Sequence, residues 1–168
     1  MKPLYKLTVS AMFAAIGTLA GNLLYIPVGA TKIFPIQHVI NVLSAVLLGP
    51  VYAVGNAFAI SLLRNLLGTG SIFAFPGSMI GALLAGLLYI WTKKVIFAVL
   101  GEIIGTGVIG GLVSFPIARF ILGQNVAATF FVVPFLLATT CGSLIAYVLL
   151  KVLATSPRLE RYFRGEQK

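Results

Sequence analysis

From residue 7 to residue 153 the chain runs through one apolar block after another, and only Lys32, Arg64, Lys93, Lys94, Glu102, Arg119 and Lys151 put charge among them. Of its 168 residues 60% are hydrophobic and 9% charged, whereas soluble domains run at about half apolar and a quarter charged. Mean hydropathy is +1.07. Too few polar side chains remain to cover a water-soluble particle, so lipid is the solvent for most of the surface. The fold class follows as an all-α integral membrane protein.

A hydrocarbon core needs roughly 20 apolar residues per helix, and division at Gly, Pro and charge predicts six transmembrane helices. They cover about residues 7–25, 35–48, 51–67, 76–92, 95–120 and 126–153. The second and third are short for full crossings, as helices that line a cavity are. Residues 26–34 form the first external loop, ahead of Pro35, which suits the first position of a helix. The opening Met1-Lys2-Pro3-Leu4-Tyr5-Lys6 imitates a signal peptide, but the run behind it is long enough to span and lacks a clear cleavage site, so it reads as a retained first helix. The chain is one transmembrane domain, residues 1–155, followed by a basic cytoplasmic tail, residues 156–168, that suits the interface near anionic lipid.

Lys2, Lys6, Lys93, Lys94, Lys151, Arg158, Arg161, Arg164 and Lys168 fall on one side of this topology, against Lys32, Arg64 and Arg119 on the other. The positive-inside bias then puts both termini in the cytoplasm. The same bias explains the net charge of +9 without a nucleic-acid partner, since the basic residues sit between apolar blocks rather than on one face of a soluble domain. Cys141 is the single cysteine and His38 the single histidine, which rules out an intramolecular disulfide and leaves no ligand set for a metal. No Gly-x-x-x-x-Gly-Lys-Ser/Thr phosphate loop occurs, so any use of ATP belongs to a partner.

The polar residues inside the spans are few. Gln37, His38 and Asn41 share one helix face, which lipid would not tolerate, so that face points into the bundle or a wet cavity. Asn65, after Arg64 and before Gly68-Thr69-Gly70-Ser71, makes a second polar cluster at the same outer level, where Arg64 is expected to snorkel to the surface. Glu102, about two turns from the cytoplasmic end of the fifth span, is costly in lipid unless paired or wet. It reads either as a snorkelling or protonated side chain or as a group beside a ligand pocket, and it is expected at a different depth from His38. The glycines at 101 and 105, and at 107 and 111, have the spacing that lets helices approach closely, as do Ala11 and Ala15 on the first span. Helices starting at Pro35 and Pro76 turn their N-terminal N–H groups to the outer level, with Tyr25, Phe34, Phe73 and Phe75 nearby as an interfacial belt or as pocket walls.

Long ordered strings then carry a resemblance: Ile26-Pro27-Val28-Gly29, Lys32-Ile33-Phe34-Pro35-Ile36-Gln37-His38, Asn41-Val42-Leu43, Leu48-Gly49-Pro50, Ser61-Leu62-Leu63-Arg64-Asn65-Leu66-Leu67-Gly68-Thr69-Gly70, Phe75-Pro76-Gly77-Ser78-Met79-Ile80-Gly81-Ala82, and Gly101-Glu102-Ile103-Ile104-Gly105-Thr106-Gly107. Over roughly residues 7–120 the chain resembles the ThiW family. The resemblance implies a six-helix substrate-binding S-component of an energy-coupling factor (ECF) transporter, capturing hydroxyethylthiazole, the thiazole precursor of thiamine. It further implies a transmembrane coupling subunit, two cytoplasmic ATPases that use the ATP, a first external loop that gates the site, and contact of Ala11 and Ala15 with the coupling subunit. No cofactor is expected on the chain itself, and no catalytic residues. The expected ligand contacts are Gln37, His38, Asn41, Asn65, Ser78, Glu102 and Thr106, with Phe34 and Phe75 as apolar walls around an uncharged ligand. The alternatives are an S-component for thiamine, a pyrimidine or a flavin, and, outside transport of this kind, a membrane-embedded enzyme or a small channel.

Overall fold

A computed structural model describes residues 3–23, 25–28 and 31–155. Lys2 and the basic tail, residues 156–168, lie outside the described residues. Among those described, the chain forms six helices and one small hairpin. The helices are α1 (Pro3–Leu23), α2 (Pro35–Leu47), α3 (Pro50–Leu66), α4 (Ala74–Thr92), α5 (Val95–Ile121) and α6 (Val132–Ala154). Four of them, α1, α4, α5 and α6, are long and apolar enough to cross a membrane. Large apolar side chains lie exposed along them, among them Leu19, Trp91, Leu112, Phe120, Leu144 and Val152. An exposed apolar surface of that extent matches lipid and not water.

The loop between α1 and α2 contains an antiparallel pair, β1 (Ile26–Val28) and β2 (Thr31–Ile33), with Ile26 opposite Ile33 and Val28 opposite Thr31. Pro35 takes the first helical position directly behind it, as its fixed φ and missing N–H favour. Pro76 does not play that part for α4, which begins two residues earlier at Ala74. At the other end of α5, Gly123 turns the chain with φ 65°, and the Gln124 N–H donates to the Ala118 carbonyl. The sixth helix therefore starts at Val132 and not near residue 126, because residues 123–131 are spent on this turn and on the ring contacts of Phe130 and Phe131.

The centre of the bundle is α2. It packs against all five other helices, and every residue from Gln37 to Val46 is buried. That explains its length: a helix enclosed by protein on all sides has no lipid thickness to match. Toward its C-terminal end lies the apolar core, where Val42, Leu43 and Val46 meet Ala53, Ala57, Ala82, Ala85, Ala98, Val99, Ala146 and Leu150. Alanine at so many of these positions keeps the helix axes close, the way small residues do in lipid.

Glycine does the same along α5, on two faces. A Cβ at Gly105 would stand 2.6 Å from the Gly81 Cα of α4, and one at Gly101 would stand 2.8 Å from the Ala85 backbone. Gly107 and Gly111 instead face α6, at Leu136 and Val132. The two spacings in the sequence thus serve two different partners. Between them, residues Ile103–Gly110 take the wider i→i+5 winding, and so do Ile117–Ile121 after Pro116, where proline leaves an i→i−4 bond unmade. The outermost helix is α1, packed mainly on α2 and α3. A polar chain docks it: Ser10 Oγ donates to Asn56 Oδ1 at 2.5 Å, and Asn56 Nδ2 donates to Ser44 Oγ at 2.8 Å.

Gly105→Ala is expected to force α4 and α5 apart and to cost about 1–3 kcal/mol, the usual range for overpacking. Gly55→Ala, where an added Cβ meets nothing within 4 Å, is expected to leave stability unchanged or raise it by up to about 1 kcal/mol through helix propensity. Thermal unfolding of the two purified variants in detergent reads the difference.

Candidate functional site

At the end of the bundle opposite the alanine core, the helices open around a cavity of about 260 Å³. The N-terminal turns of α2 and α4, the C-terminal turn of α3, the middle of α5 and the start of α6 all reach it. The hairpin leads straight into it, since Ile33 and Phe34 are part of its wall. Its floor is polar, formed by His38, Ser78 and Thr106, one turn or more inside their helices. One flank is Gln37 and Arg64 with the loop Thr69, Gly70 and Ser71. The opposite flank is aromatic.

Under the floor, Glu102 is fully buried. Its Oε1 accepts from His38 Nδ1 at 2.9 Å, from Asn41 Nδ2 at 2.9 Å and from Thr106 Oγ1 at 3.0 Å. The Thr106 hydroxyl also stands 3.1 Å from the Gly77 carbonyl, and its single proton serves one acceptor at a time. The carboxylate fits because position 81 is glycine: a Cβ there would stand 2.6 Å from Glu102 Oε2. Asn41 Nδ2 lies 3.2 Å from the Ser78 carbonyl as well, so α2, α4 and α5 meet at one point. His38 donates through Nδ1 in the tautomer this contact requires.

A second chain of hydrogen bonds runs along the flank. Arg64 Nη1 donates to Gln37 Oε1 at 2.8 Å, Gln37 Nε2 donates to Ser61 Oγ at 2.8 Å, and Ser61 Oγ lies 3.2 Å from Ser78 Oγ. Ser78 in turn donates to the Ala74 carbonyl at 2.6 Å. Arg64 Nη2 reaches the Thr69 carbonyl at 3.1 Å, and the guanidinium carbon lies 4.2 Å from the centre of the Phe34 ring. The loop after α3 is wrapped onto the same residue, because the Thr69 and Gly70 N–H groups both donate to the Arg64 carbonyl at 2.9 Å. Among the described residues, the buried side-chain atoms without a hydrogen-bond partner are Asn41 Oδ1, Arg64 Nε, Glu102 Oε2 and Ser143 Oγ. Three of these four belong to the groups just described, which is where spare hydrogen-bonding capacity marks a site built for something else.

The aromatic flank stacks ring on ring. Phe73 and Phe131 have centroids 4.5 Å apart, Phe130 stands edge-on to Phe131 at 5.1 Å, and Phe135 follows at 6.2 Å. Such a wall offers π faces to a flat ligand.

Of the residues singled out in the sequence, Phe34, Gln37, His38, Ser78 and Thr106 line the cavity. Asn41 and Glu102 lie directly beneath them. Asn65 and Phe75 are elsewhere. Asn65 Nδ2 clamps the loop, donating to the carbonyls of Ser61 at 2.7 Å and Ser71 at 3.1 Å, and Phe75 packs on Phe58 at 5.7 Å. Two expectations are corrected. Arg64 does not snorkel to the surface but is 3% exposed, held inward by Gln37, Phe34 and the wrapped loop. Glu102 and His38 are not at different depths but in contact, because α5 is 27 residues long and α2 only 13, so seven residues into α5 is the same level as one turn into α2.

Sequence reasoning placed Arg64 and the loop 69–71 in an outer polar cluster without assigning them to the cavity wall, and it missed the aromatics of α6 and its approach. The signal for the last was present in the sequence as Phe130-Phe131 with Phe135 four residues on, one helical turn apart.

Glu102→Ala leaves His38 Nδ1 without its acceptor and Asn41 and Thr106 with one acceptor in place of two, and is expected to destabilise the fold by about 1–3 kcal/mol, the range for an unsatisfied buried polar group. Glu102→Gln, which keeps an acceptor oxygen, is expected to lose less than half of that. Melting of the purified variants in detergent compares them.

Among curated proteins and among solved structures nothing matches the chain. A family model described as thiamine-precursor transporter protein, ThiW, matches residues 7–156, from α1 through the end of α6. The chain belongs to the ThiW family and is therefore a multi-pass membrane transport protein for a thiamine precursor, not an enzyme.

Proposed function

We propose that this chain is the substrate-capture subunit of an ECF transporter and that it binds hydroxyethylthiazole in the cavity beneath the hairpin. The observation that carries this reading is the cavity itself: closed toward the alanine core, walled by phenylalanines, and floored by three side chains with hydrogen-bonding groups. A thiazole ring lies against the aromatic flank, and its ring nitrogen and hydroxyl find partners among His38, Ser78, Thr106 and Gln37. A mostly apolar pocket with a few placed polar groups is what a small neutral heterocycle requires. Asn41 and Glu102 position His38 and Thr106 and do not touch the ligand.

All six helices cross in this reading, α2 and α3 with their short lengths made up by the hairpin and the loops, and both termini lie in the cytoplasm by the Lys and Arg bias. The cavity then faces outward and the hairpin, with Phe34 at its foot, is the gate. The chain has no phosphate loop of its own, so two cytoplasmic ATPases supply the energy through a transmembrane coupling subunit. That subunit docks on α1. Ala11 and Ala15 are exposed on α1, beside Met12, Ile16 and Leu19, a smooth surface on which a second helix packs closely.

Purified protein in detergent is expected to melt higher with hydroxyethylthiazole, by the linkage of binding to stability, and Gln37→Ala or Phe131→Ala is expected to weaken the ligand by roughly ten-fold, about 1.4 kcal/mol. No shift with the thiazole, but one with thiamine, a pyrimidine or a flavin, would reassign the ligand. Ala11→Trp and Ala15→Trp are expected to abolish uptake of labelled ligand by cells that express the complete transporter while leaving binding to the purified subunit unchanged. Uptake at the normal rate would remove α1 as the docking face.

A further inference from the structure

Arg64 is a cavity residue whose charge no described carboxylate answers. Its guanidinium is 3% exposed and is charged at any working pH. The chain contains no Asp and three Glu, and the single one among the described residues, Glu102, gives its Oε1 to His38, Asn41 and Thr106. The acid–base contact found among the described residues is His38 with Glu102, an ion pair only when the imidazole is protonated. Among the described residues Arg64 meets neutral oxygens, one from the Gln37 amide and one from the Thr69 carbonyl. Two of its five N–H groups are engaged there, and Nε has no partner among the described residues.

A buried cation with neutral partners is costly, because carbonyl dipoles return only part of the solvation lost. The guanidinium is nevertheless held in place, with its carbon 4.2 Å from the centre of the Phe34 ring and Nη2 tied to the Thr69 carbonyl of the loop. A planar fork held in place at a cavity wall is the geometry that receives two oxygens of one anion. The flank opposite is aromatic, and the polar groups of the floor and near flank are neutral hydroxyls, an amide and an imidazole.

Resting on the reading of this cavity as the ligand site, we infer that it prefers a small heteroaromatic ligand that carries an anionic group, a phosphate ester or a carboxylate, with the anion on Arg64 and the ring between the aromatic flank and the His38, Ser78 and Thr106 floor. Arg64 is then the residue that determines specificity. The neutral alcohol still binds, through the ring contacts and the hydrogen bonds of the floor, without the charge contact to Arg64.

Isothermal titration of the purified full chain tests this with three probes: hydroxyethylthiazole, its phosphate monoester, and a thiazole carboxylate of the same ring. The wild type is expected to bind at least one of the two anionic probes about ten-fold tighter or more than the alcohol, a margin typical of one charge-assisted contact. Which of the two wins separates a phosphate from a carboxylate as the natural group. In Arg64→Gln the ratio of anion to alcohol affinity, whatever the alcohol's own affinity becomes, is expected to fall to within about two-fold, and in Arg64→Lys part of the margin returns, as a point charge replaces the fork. An alcohol that binds as tightly as both anions in the wild type overturns the inference and leaves the proposed ligand standing. A margin that survives Arg64→Gln overturns it too. If no thiazole binds at all, the proposed ligand falls and this inference with it. Should Arg64→Gln not fold, the wild-type comparison and Arg64→Lys decide.

Discussion

Everything in this molecule is arranged around a helix that lipid never touches. Enclosed by the other five, α2 carries Gln37, His38, Asn41 and Ser44 into a place where water cannot satisfy them. In such an interior each polar group left without a partner costs on the order of 1–3 kcal/mol, so the neighbours must supply the partners. Ser61 and Arg64 of α3 answer Gln37, Glu102 of α5 answers His38 and Asn41, and Asn56 of α3 answers Ser44. The relative heights of α2, α3 and α5 follow from these pairings.

From that centre the bundle divides into two halves with different chemistry. Toward the C-terminal end of α2, alanine and glycine bring the helices into close contact. Toward its N-terminal end the small residues give way to phenylalanine and to polar side chains, and the helices part around the cavity. A closed base under an open cup holds the floor residues rigidly, and rigidity lets a few hydrogen bonds discriminate among small ligands. The outlying position of α1 belongs to the same division of labour. It is bound by one polar chain through Ser10, Asn56 and Ser44 and leaves most of its surface to lipid or to another protein.

The family match makes this architecture a thiamine-precursor transporter. Its cavity adds a charge that the composition alone conceals. Twelve basic residues in a chain of this kind read as a cytoplasmic bias, and Arg64 looks like one more of them until its neighbours are seen. Turned inward, it changes the ligand that the site is suited to hold.

The amino-acid sequence by itself determined the membrane class, the approximate limits of the helices, and the rule that Gln37, His38 and Asn41 must face inward, because hydropathy and the cost of polar groups in lipid act locally along the chain. It also determined that the glycines of α5 serve close packing, since their spacing sets one face of a helix. Only the tertiary structure decided which inward groups stand at the same level. That depends on how far each helix slides along its neighbours, and no local pattern records the offset between a helix of 27 residues and one of 13. The contact of Glu102 with His38, the inward turn of Arg64 under its wrapped loop, the removal of Asn65 to a clamp and of Phe75 to the outside, and the arrival of Phe130, Phe131 and Phe135 from the far end of the chain are all consequences of those offsets.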